Sequence, residues 1–186
     1  MSRLDALLLP REHARLPQGV HRAAVAAVFG PGDDLLLIQR AERAGDLWSG
    51  HLAFPGGRED ASDADLLATA TRECAEELGL DLRGATLLGA LPPQASPRNA
   101  GRQQVNVIPW VFRLDRWPSL RPNSEVAAYH FEPLSRLVSR EGRGEFPYRW
   151  QGVDYTLPCV DLPPGRLWGM TLRMIDDLLE RIEAAP

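Results

Sequence analysis

Short apolar runs alternate with turn residues along much of the chain, which is the pattern of strands in a half-buried or buried sheet. A turn cluster, Gly30 to Asp34, joins the first two runs and predicts a hairpin. The runs predict strands at 23–29, 35–39, 51–54, 85–91, 105–114 and 126–131, and a further hairpin at 146–158 around Gly152.

The spacing of apolar residues changes to that of a helix between Ala64 and Leu78. Four residues, Leu67, Ala70, Cys74 and Leu78, fall along one stripe at helical spacing. Ser62 or Asp63 could cap the beginning of this helix, and Gly79 ends it. Weaker patterns predict helices at 2–16, where Pro10 and Pro17 limit the length, at 133–139 and at 168–182.

Helices and strands are interspersed, so the predicted class is α/β with a mixed sheet. The length of 186 residues suits a single domain over 1–186, with 1–20 as an N-terminal extension. Two long loops are predicted, at 41–50 and 92–104. The second is polar and contains two Arg, and loops of this length inside a domain are often functional.

Composition narrows the chemistry. The net charge is −4, and all 21 basic residues are Arg, so Schiff-base lysine chemistry and a P-loop lysine are excluded. The charge predicts no nucleic-acid partner. No apolar run approaches about 18 residues and no leader pattern is present, which predicts a soluble, cytoplasmic protein without a membrane partner. Cys74 and Cys159 are predicted to be two buried, unpaired thiols.

Three carboxylates lie close together on the central helix. Glu73, Glu76 and Glu77 are related as i, i+3 and i+4, so at about 100° per residue they share one face. Each like-charged pair costs about 0.2–0.5 kcal/mol, and the C-terminal half of a helix disfavours anions. A bound divalent cation such as Mg²⁺ would make the electrostatic free energy of this arrangement favourable instead of unfavourable. The alternative interpretation is a solvated acidic face with Arg72 as an ion-pair partner.

Two glycines precede this helix at the end of a predicted strand, in Phe54-Pro55-Gly56-Gly57. Paired glycines allow backbone carbonyls to approach a metal or a phosphate without a side chain in the way. An ordinary turn is the alternative interpretation. The combination of strand, Gly-Gly, a spacing of about 15 residues and an Arg-Glu-x-x-Glu-Glu-x-Gly run is much more restrictive than any of its parts.

The stretch Gly57–Leu80 resembles the Nudix box, whose core is Arg-Glu-apolar-x-Glu-Glu-x-Gly-apolar. The residues that match it in order are Arg72, Glu73, Cys74, Glu76, Glu77, Gly79 and Leu80. The resemblance implies a Nudix-type α/β/α sandwich around a mixed β-sheet, with the box at 56–80. This chain lacks the Glu that the common box places between its glycine and its arginine; Asp60 and Asp63 are the nearest carboxylates. The interval is also one residue longer, as in the coenzyme A diphosphatase branch.

The resemblance implies hydrolysis of a nucleoside diphosphate derivative with Mg²⁺ or Mn²⁺ as cofactor. The implied metal ligands are Glu73, Glu76, Glu77 and the Gly56 carbonyl. Glu77 or Glu73 would also orient the attacking water, Arg72 would hold the glutamates, and Glu125 resembles a late glutamate that some members use as a base. His51 and His130 are chemically capable bases. The predicted substrate-binding residues are Arg40, Arg58, Gly57 and Phe54.

A second resemblance narrows the choice of substrate. The pattern of Arg40, Gly50 and Phe54–Gly57 resembles the coenzyme A diphosphatase branch, so coenzyme A or a derivative is the leading candidate. Asp46 departs from that branch, because a second Arg is expected there to meet the additional phosphate. Arg43, Arg98 and Arg102 are candidates to compensate. ADP-ribose, dinucleoside polyphosphates and damaged nucleoside triphosphates are alternatives, as is a non-catalytic nucleotide sensor. Candidates to stack an adenine ring, or simply to pack in the core, are Trp48, Phe54, Trp110 and Trp168. The oligomeric state is left open, with a homodimer as one option.

Overall fold

The computed structural model describes residues 8–11, 14–16, 21–44, 49–96 and 104–184. Within this part of the chain, strands and helices follow one another as the apolar pattern predicts. The strands are β1 (His21–Phe29), β2 (Asp34–Arg40), β3 (Leu52–Ala53), β4 (Gly56–Arg58), β5 (Thr86–Ala90), β6 (Gln94–Ala95), β7 (Val105–Arg113), β8 (Val126–Pro133), β9 (Arg143–Trp150), β10 (Val153–Leu162) and β11 (Gly165–Trp168). The helices are α1 (Leu66–Leu78), α2 (Leu134–Val138) and α3 (Gly169–Ala184).

The main sheet is mixed, as predicted. Its strand order is β3-β2-β1-β7-β5, with β4 paired to β1, β6 to β7 and β8 to β2. Strand β1 runs parallel to β7 along its whole length, from His21 opposite Val105 to Phe29 opposite Arg113. The other pairs in this sheet are antiparallel. A second sheet, β11-β10-β9, is antiparallel throughout.

Two strands share the edge of β1 that β7 leaves open. Strand β2 pairs with β1 near its C-terminal end, where Phe29 lies opposite Leu35. Strand β4 pairs with its N-terminal half, with Ala24 opposite Gly57. The sheet therefore divides at this edge, and the Gly-Gly segment lies beside the division.

Alternate residues of β1 face opposite layers of the core. Ala24, Ala26 and Val28 pack with the apolar stripe of α1. Ala27 and Phe29 pack with α3 and the second sheet. Both faces of the sheet are thus covered by helices, which confirms the α/β/α sandwich. The apolar stripe predicted for α1 is present: Ala70, Cys74 and Leu78 are fully buried, and Leu67 is partly buried. Both cysteines are free and buried, as predicted.

Three details of the predicted elements differ in the structure. The helix predicted at 2–16 lies mostly outside the described residues, and within 8–11 Leu9 forms an antiparallel bridge with Ala90 at the sheet edge. The loop predicted for 92–104 contains β6, which pairs with β7. Trp168 ends β11, and α3 begins one residue later at Gly169.

The beginning of α1 also differs from the prediction. The N-cap is Asp65, whose side chain accepts a hydrogen bond from the Ala68 N–H at 2.8 Å. Neither Ser62 nor Asp63 caps the helix, because the Asp63 carboxylate is bound to Arg72. Among the described residues, no helix is both long enough and apolar enough to cross a membrane. The predicted cytoplasmic location stays a prediction.

Candidate functional site

The C-terminal half of α1 is anchored at both its buried face and its end. Gly79 adopts a left-handed conformation (φ 63°) and donates to the Ala75 carbonyl at 3.0 Å, which terminates the helix. The segment before β8 then docks on the last turn, because the Asn123 N–H donates to the Glu77 carbonyl at 2.8 Å. This docking brings Glu125 next to the glutamates of α1.

Arg72 is the hub of the polar network on α1. Its Nη1 lies 3.0 Å from a carboxylate oxygen of both Glu73 and Glu76. Its Nη2 also donates to the Arg58 carbonyl at 3.1 Å, which ties the helix to the end of β4. One guanidinium therefore partly neutralises two of the three glutamates and fixes their distance from the glycine strand.

Asp63 supplies the carboxylate that the sequence pattern lacked. Its two oxygens accept from Arg72 Nε and Nη2, both at 3.0 Å, in a bidentate contact. The Thr69 hydroxyl and the Asp60 N–H also donate to it, at 2.9 Å each. Arg72 is the largest of the influences that hold the pKa of Asp63 at about 2, and the hydrogen bonds from Asp60 and Thr69 act in the same direction. The ion pair of the box is thus present, with Asp63 in place of the expected Glu.

Glu77 is the most deeply buried of the three glutamates, with 3% of its surface exposed. Its Oε2 accepts a hydrogen bond of 2.9 Å from the Gly56 N–H. Burial raises the pKa of Glu77 to about 7, and the negative charges of Glu73 and Glu125 add to this, while the Gly56 N–H and Arg40 oppose it. Burial and the neighbouring carboxylates therefore disfavour the ionised form of Glu77 more than the Gly56 N–H and Arg40 favour it.

Glu73 lies directly against Gly57. A Cβ atom at position 57 would overlap the Glu73 carboxylate, so only glycine allows this approach. The side chain of Glu73 is 15% exposed. Burial raises its pKa above the ordinary value; Arg72 opposes the shift, and the neighbouring Glu76 and Glu125 reinforce it.

Gly56 meets two different requirements. Its φ of 149° is one that other residues rarely adopt, and a Cβ there would overlap the Ala24 carbonyl of β1. Hydrogen bonds from Ala26 to Pro55 and from Glu59 to Arg22 flank the pairing of β4 with β1. Because bonded and non-bonded pairs alternate in an antiparallel ladder, the backbone groups of Gly56 face away from β1, toward Glu77.

Glu76 differs from the other two glutamates because its side chain is 55% exposed. In the described ranges, no three His, Cys, Asp or Glu side chains are gathered closely enough to hold a metal ion as they stand. Arg72 donates hydrogen bonds to Glu73 and Glu76, and the Gly56 N–H donates one to Glu77. Each of the three carboxylates therefore already accepts a hydrogen bond from the protein.

Two charged residues approach the cluster from the neighbouring strands. Arg40 ends β2 opposite Val126, and its charge lowers the pKa of Glu77, which places it near that carboxylate. Glu125 is half exposed and pairs with Arg43, with Nη2 to Oε1 at 3.2 Å. The structure therefore brings together the glutamates, Gly56, Gly57, Arg72, Arg40 and Glu125.

The other predicted contacts lie elsewhere. Phe54 is 3% exposed and belongs to the core on the α3 side, so its ring has no face free for a substrate. Arg58 is exposed, and the alternation of β4 places its side chain on the face opposite that of Gly57. Its backbone carbonyl, however, holds Arg72.

The described aromatic and histidine candidates are likewise engaged in contacts other than those with the glutamates. Trp110 is 2% exposed in the core. Trp168 is half-buried and its ring lies 4.7 Å from that of His51. His130 pairs with the buried Glu132 at 2.8 Å. Asp46, Trp48, Arg98 and Arg102 lie outside the described residues.

Comparison with known proteins decides the family. The model of the NUDIX domain matches residues 19–150. The chain belongs to the Nudix family. The match includes all of the Gly-Gly strand and the glutamate helix, which are the segments that resemble the Nudix box.

Relatives and solved structures agree with this assignment. The chain is 38% identical to human (Homo sapiens) mitochondrial coenzyme A diphosphatase NUDT8 over 74% of its length and 58% of that protein. It is 34% identical to the mouse (Mus musculus) protein of the same name over 88% of its length and 79% of that protein. The chain thus spans only part of these relatives. The Nudix domain of Shewanella oneidensis NrtR, solved with ADP ribose, shares the fold with a TM-score of 0.58 at 16% identity, covering 89% of this chain and 90% of that one.

Sequence reasoning left the partners of two charged residues near the glutamates unassigned. Asp63 was considered as a helix cap and, together with Asp60, as a carboxylate nearest to the place of the missing box Glu, but its distance of nine residues from Arg72 gave no periodic signal that would favour it over Asp60. Arg43 was considered for a substrate phosphate, whereas in the structure it pairs with Glu125. The signal that could have found Asp63 is the absence of the usual box Glu, since the arginine then requires another carboxylate nearby.

Proposed function

We propose that this Nudix protein is a Mg²⁺- or Mn²⁺-dependent hydrolase that cleaves the pyrophosphate of coenzyme A or a coenzyme A derivative. The proposal depends most on the convergence of Glu73 and Glu77 with the Gly56-Gly57 strand. Glu73 fills the space that a side chain at Gly57 would take, and Glu77 accepts the Gly56 N–H. No requirement of folding explains two glutamates at this position.

The donor set fits a divalent cation. Glu73, Glu76, Glu77 and the Gly56 carbonyl offer hard oxygen atoms, which are the ligands Mg²⁺ and Mn²⁺ prefer. Burial raises the pKa values of Glu73 and Glu77 although Arg72 and Arg40 lower them, so a further positive charge would favour the ionised carboxylates. The bound cation would neutralise the diphosphate and lower the pKa of a bound water.

The residues around the glutamates position the substrate and move the proton. Arg40 and the backbone at Gly57 are proposed to hold the phosphates. Arg72 is proposed to orient the glutamates without contacting the substrate, because its guanidinium is hydrogen-bonded to Asp63 and to the Arg58 carbonyl. The Arg58 side chain remains a proposed substrate contact, but it would have to reach around the edge of β4.

Glu125 is the proposed general base. Its side chain is half exposed, so a water has access to it, and its charge is felt by both Glu73 and Glu77. Water attacks one phosphorus, the bridging P–O bond breaks, and the proton of the water passes to Glu125. The products are two phosphate monoesters.

The substrate assignment is supported by relatives that carry the name coenzyme A diphosphatase at 34–38% identity. Arg43 lies beside Glu125 and could meet an additional phosphate when its ion pair opens. ADP-ribose stays an alternative, because a structural neighbour was solved with that ligand.

The test is a product assay on a panel of coenzyme A, ADP-ribose, diadenosine polyphosphates and 8-oxo-dGTP, with Mg²⁺, Mn²⁺ or EDTA. Mass spectrometry should detect 4′-phosphopantetheine and 3′,5′-ADP from coenzyme A, and EDTA should abolish both. Glu77→Gln should remove turnover, whereas Glu180→Gln, an exposed glutamate of α3, should not. Faster turnover of another compound would reassign the substrate. Binding without turnover across the panel would favour a nucleotide sensor.

A further inference from the structure

A cavity of about 510 Å³ lies between Arg11, the residues 14–16, the beginning of β1 and the N-terminus of α1. This volume is within the range of small-molecule sites. The residues that line it are Arg11, Ala14, Arg15, Leu16, Arg22, Asp65, Leu66 and Trp110. Half of them are apolar and half are charged, as in sites that hold an apolar body and an ionic group.

The lining is rich in arginine although the chain as a whole is acidic. It contains three arginines and one carboxylate, and the chain has a net charge of −4. The carboxylate of Asp65 is already occupied, by Arg11 at 2.7 Å and by the Ala68 N–H at 2.8 Å. Arg22 reaches Glu59 at 3.1 Å with one of its terminal nitrogens. Carboxylates thus meet part of the arginine charge, and the guanidinium groups of the lining still offer hydrogen-bond donors to an anion.

Two buried hydrogen-bond donors at the cavity have no acceptor. Trp110 is 2% exposed, and its Nε1 lacks a hydrogen-bond partner. The Nε of Arg22 is buried and lacks one as well. Indole and guanidinium nitrogens donate only. A ligand that supplies oxygen acceptors would therefore satisfy both groups, and burial of unpaired donors is otherwise costly.

This cavity is separate from the glutamate cluster. Leu66 precedes Glu73 by seven residues, which is two turns or about 10 Å along α1. None of Glu73, Glu76 and Glu77 lines the cavity.

We propose that this cavity is a second ligand site, which binds a small organic oxyanion. The phosphate or carboxylate group meets Arg15, Arg22 and the Trp110 Nε1. The apolar part lies against Ala14, Leu16 and Leu66. The site requires no divalent cation, because its charge comes from arginine, and this separates it from the proposed catalytic centre.

The test uses the full chain in EDTA, so that the glutamate site is without its cation, and isothermal titration calorimetry with three probes. Phenyl phosphate and benzoate carry a ring and differ in the oxyanion, and inorganic phosphate has no apolar part. We expect phenyl phosphate or benzoate to bind with one-to-one stoichiometry, and at least about tenfold more tightly than inorganic phosphate. The tighter of the two identifies the oxyanion. Lack of saturable binding by all three probes overturns the proposal.

Variants assign the binding to the cavity. Arg22→Gln and Trp110→Phe should each weaken the better probe at least about tenfold. Arg15 is exposed, so Arg15→Gln gives the same test if Arg22→Gln or Trp110→Phe fails to fold. Arg149→Gln, an exposed arginine of β9, is the matched control for net charge and should bind as the unchanged protein does. If Glu77→Gln weakens the probe as much as Arg22→Gln, the anion binds at the glutamates and the proposal is wrong. Turnover is not measured here, so the result stands apart from the proposed hydrolase activity.

Discussion

Arg72 holds Asp63 by two hydrogen bonds of 3.0 Å, one from Nε and one from Nη2. With these two nitrogens engaged, Nη1 is left to meet Glu73 and Glu76. The orientation of two glutamates therefore depends on a carboxylate in the preceding loop. The side chain of Asp63 is 4% exposed and that of Arg72 is 27% exposed, so the carboxylate half of the pair is shielded from water.

Replacement of Asp63 by Asn should impair both stability and activity. The amide keeps the shape but loses the charge that pairs with Arg72. We expect the free energy of unfolding to fall by about 1–3 kcal/mol. Because Asp63 acts through the glutamates, kcat or the metal affinity should fall by about 10–100-fold. Urea unfolding and steady-state kinetics with varied Mg²⁺ measure these effects.

Asp60→Asn is the matched control for this variant. Asp60 lies in the same loop, is exposed, and bonds Ser62 through its side chain rather than Arg72. Its effect on kcat should be less than about twofold. Equal losses in the two variants would show that the loop, and not the Asp63–Arg72 pair, determines the site.

The same ion pair predicts a dependence of stability on pH. Arg72 lowers the pKa of Asp63 from 3.8 to about 2. A carboxyl whose folded pKa is depressed stabilises the protein above its unfolded pKa, and this stability is lost as the pH falls from about 4 through about 2. The contribution is up to about 2 kcal/mol. Urea unfolding between pH 5 and pH 2 should therefore show a shallower decline for Asp63→Asn than for the unchanged protein. Parallel curves would contradict the role of Asp63.

The sequence was sufficient for the elements that depend on periodicity and not for those that depend on distant partners. The stripe Leu67–Leu78 predicts α1 and its buried face because neighbours three and four residues apart determine it. The cap could not be predicted, since Asp63 and Asp65 are both suitable. A contact with Arg72, on the second turn of the helix, determines that Asp65 is the cap.

The N-terminal region shows the same limit. Leu4, Leu7 and Leu8 predict a helical stripe, of which Leu8 alone is among the described residues, and the adjacent Leu9 pairs with Ala90, which is far away in the sequence. Phe54 shows a second limit of the sequence. Its position near Gly56 made it a candidate for substrate contact, and only its packing on the α3 side of the sheet identifies it as a core residue. The glutamate cluster was predictable because its spacing is local and its charge has no folding benefit.

Glu77 should cost the protein stability when no divalent cation is present. Its pKa is raised from 4.5 to about 7, mainly by burial. A carboxyl whose folded pKa is raised favours the folded state at low pH, so stability falls as the pH rises from about 4.5 through about 7. In EDTA at pH 8, Glu77→Gln should therefore be more stable by about 1–3 kcal/mol, since the neutral amide can still accept the Gly56 N–H.

The comparison is made by urea unfolding at pH 5 and pH 8, with Glu180→Gln as the control for loss of one negative charge. The stabilisation by Glu77→Gln should be largest at pH 8, and Glu180→Gln should show none. Addition of Mg²⁺ should stabilise the unchanged protein and not Glu77→Gln. A destabilised Glu77→Gln in EDTA at pH 8 would mean that the cluster stabilises the fold by itself.

Gly57→Ala tests the approach of Glu73 to the glycine strand. The added Cβ would overlap the Glu73 carboxylate, and the neighbouring backbone is fixed by pairing with Ala24. Glu73 must therefore move, and we expect kcat to fall by at least about tenfold with a loss of about 1–3 kcal/mol in stability. Gly144→Ala is the matched control, because Gly144 also lies in a strand and a Cβ there meets no atom within 4 Å.

A double variant separates displacement of Glu73 from general damage to the strand. In the Glu73→Gln background the catalytic contribution of residue 73 is already lost, so Gly57→Ala should reduce kcat by less than about twofold further. The same tenfold loss in both backgrounds would show that Gly57 acts on the site independently of Glu73. In that case the close approach of the two residues would be a feature of packing, and the carboxylate of Glu73 would not depend on the glycine for its position.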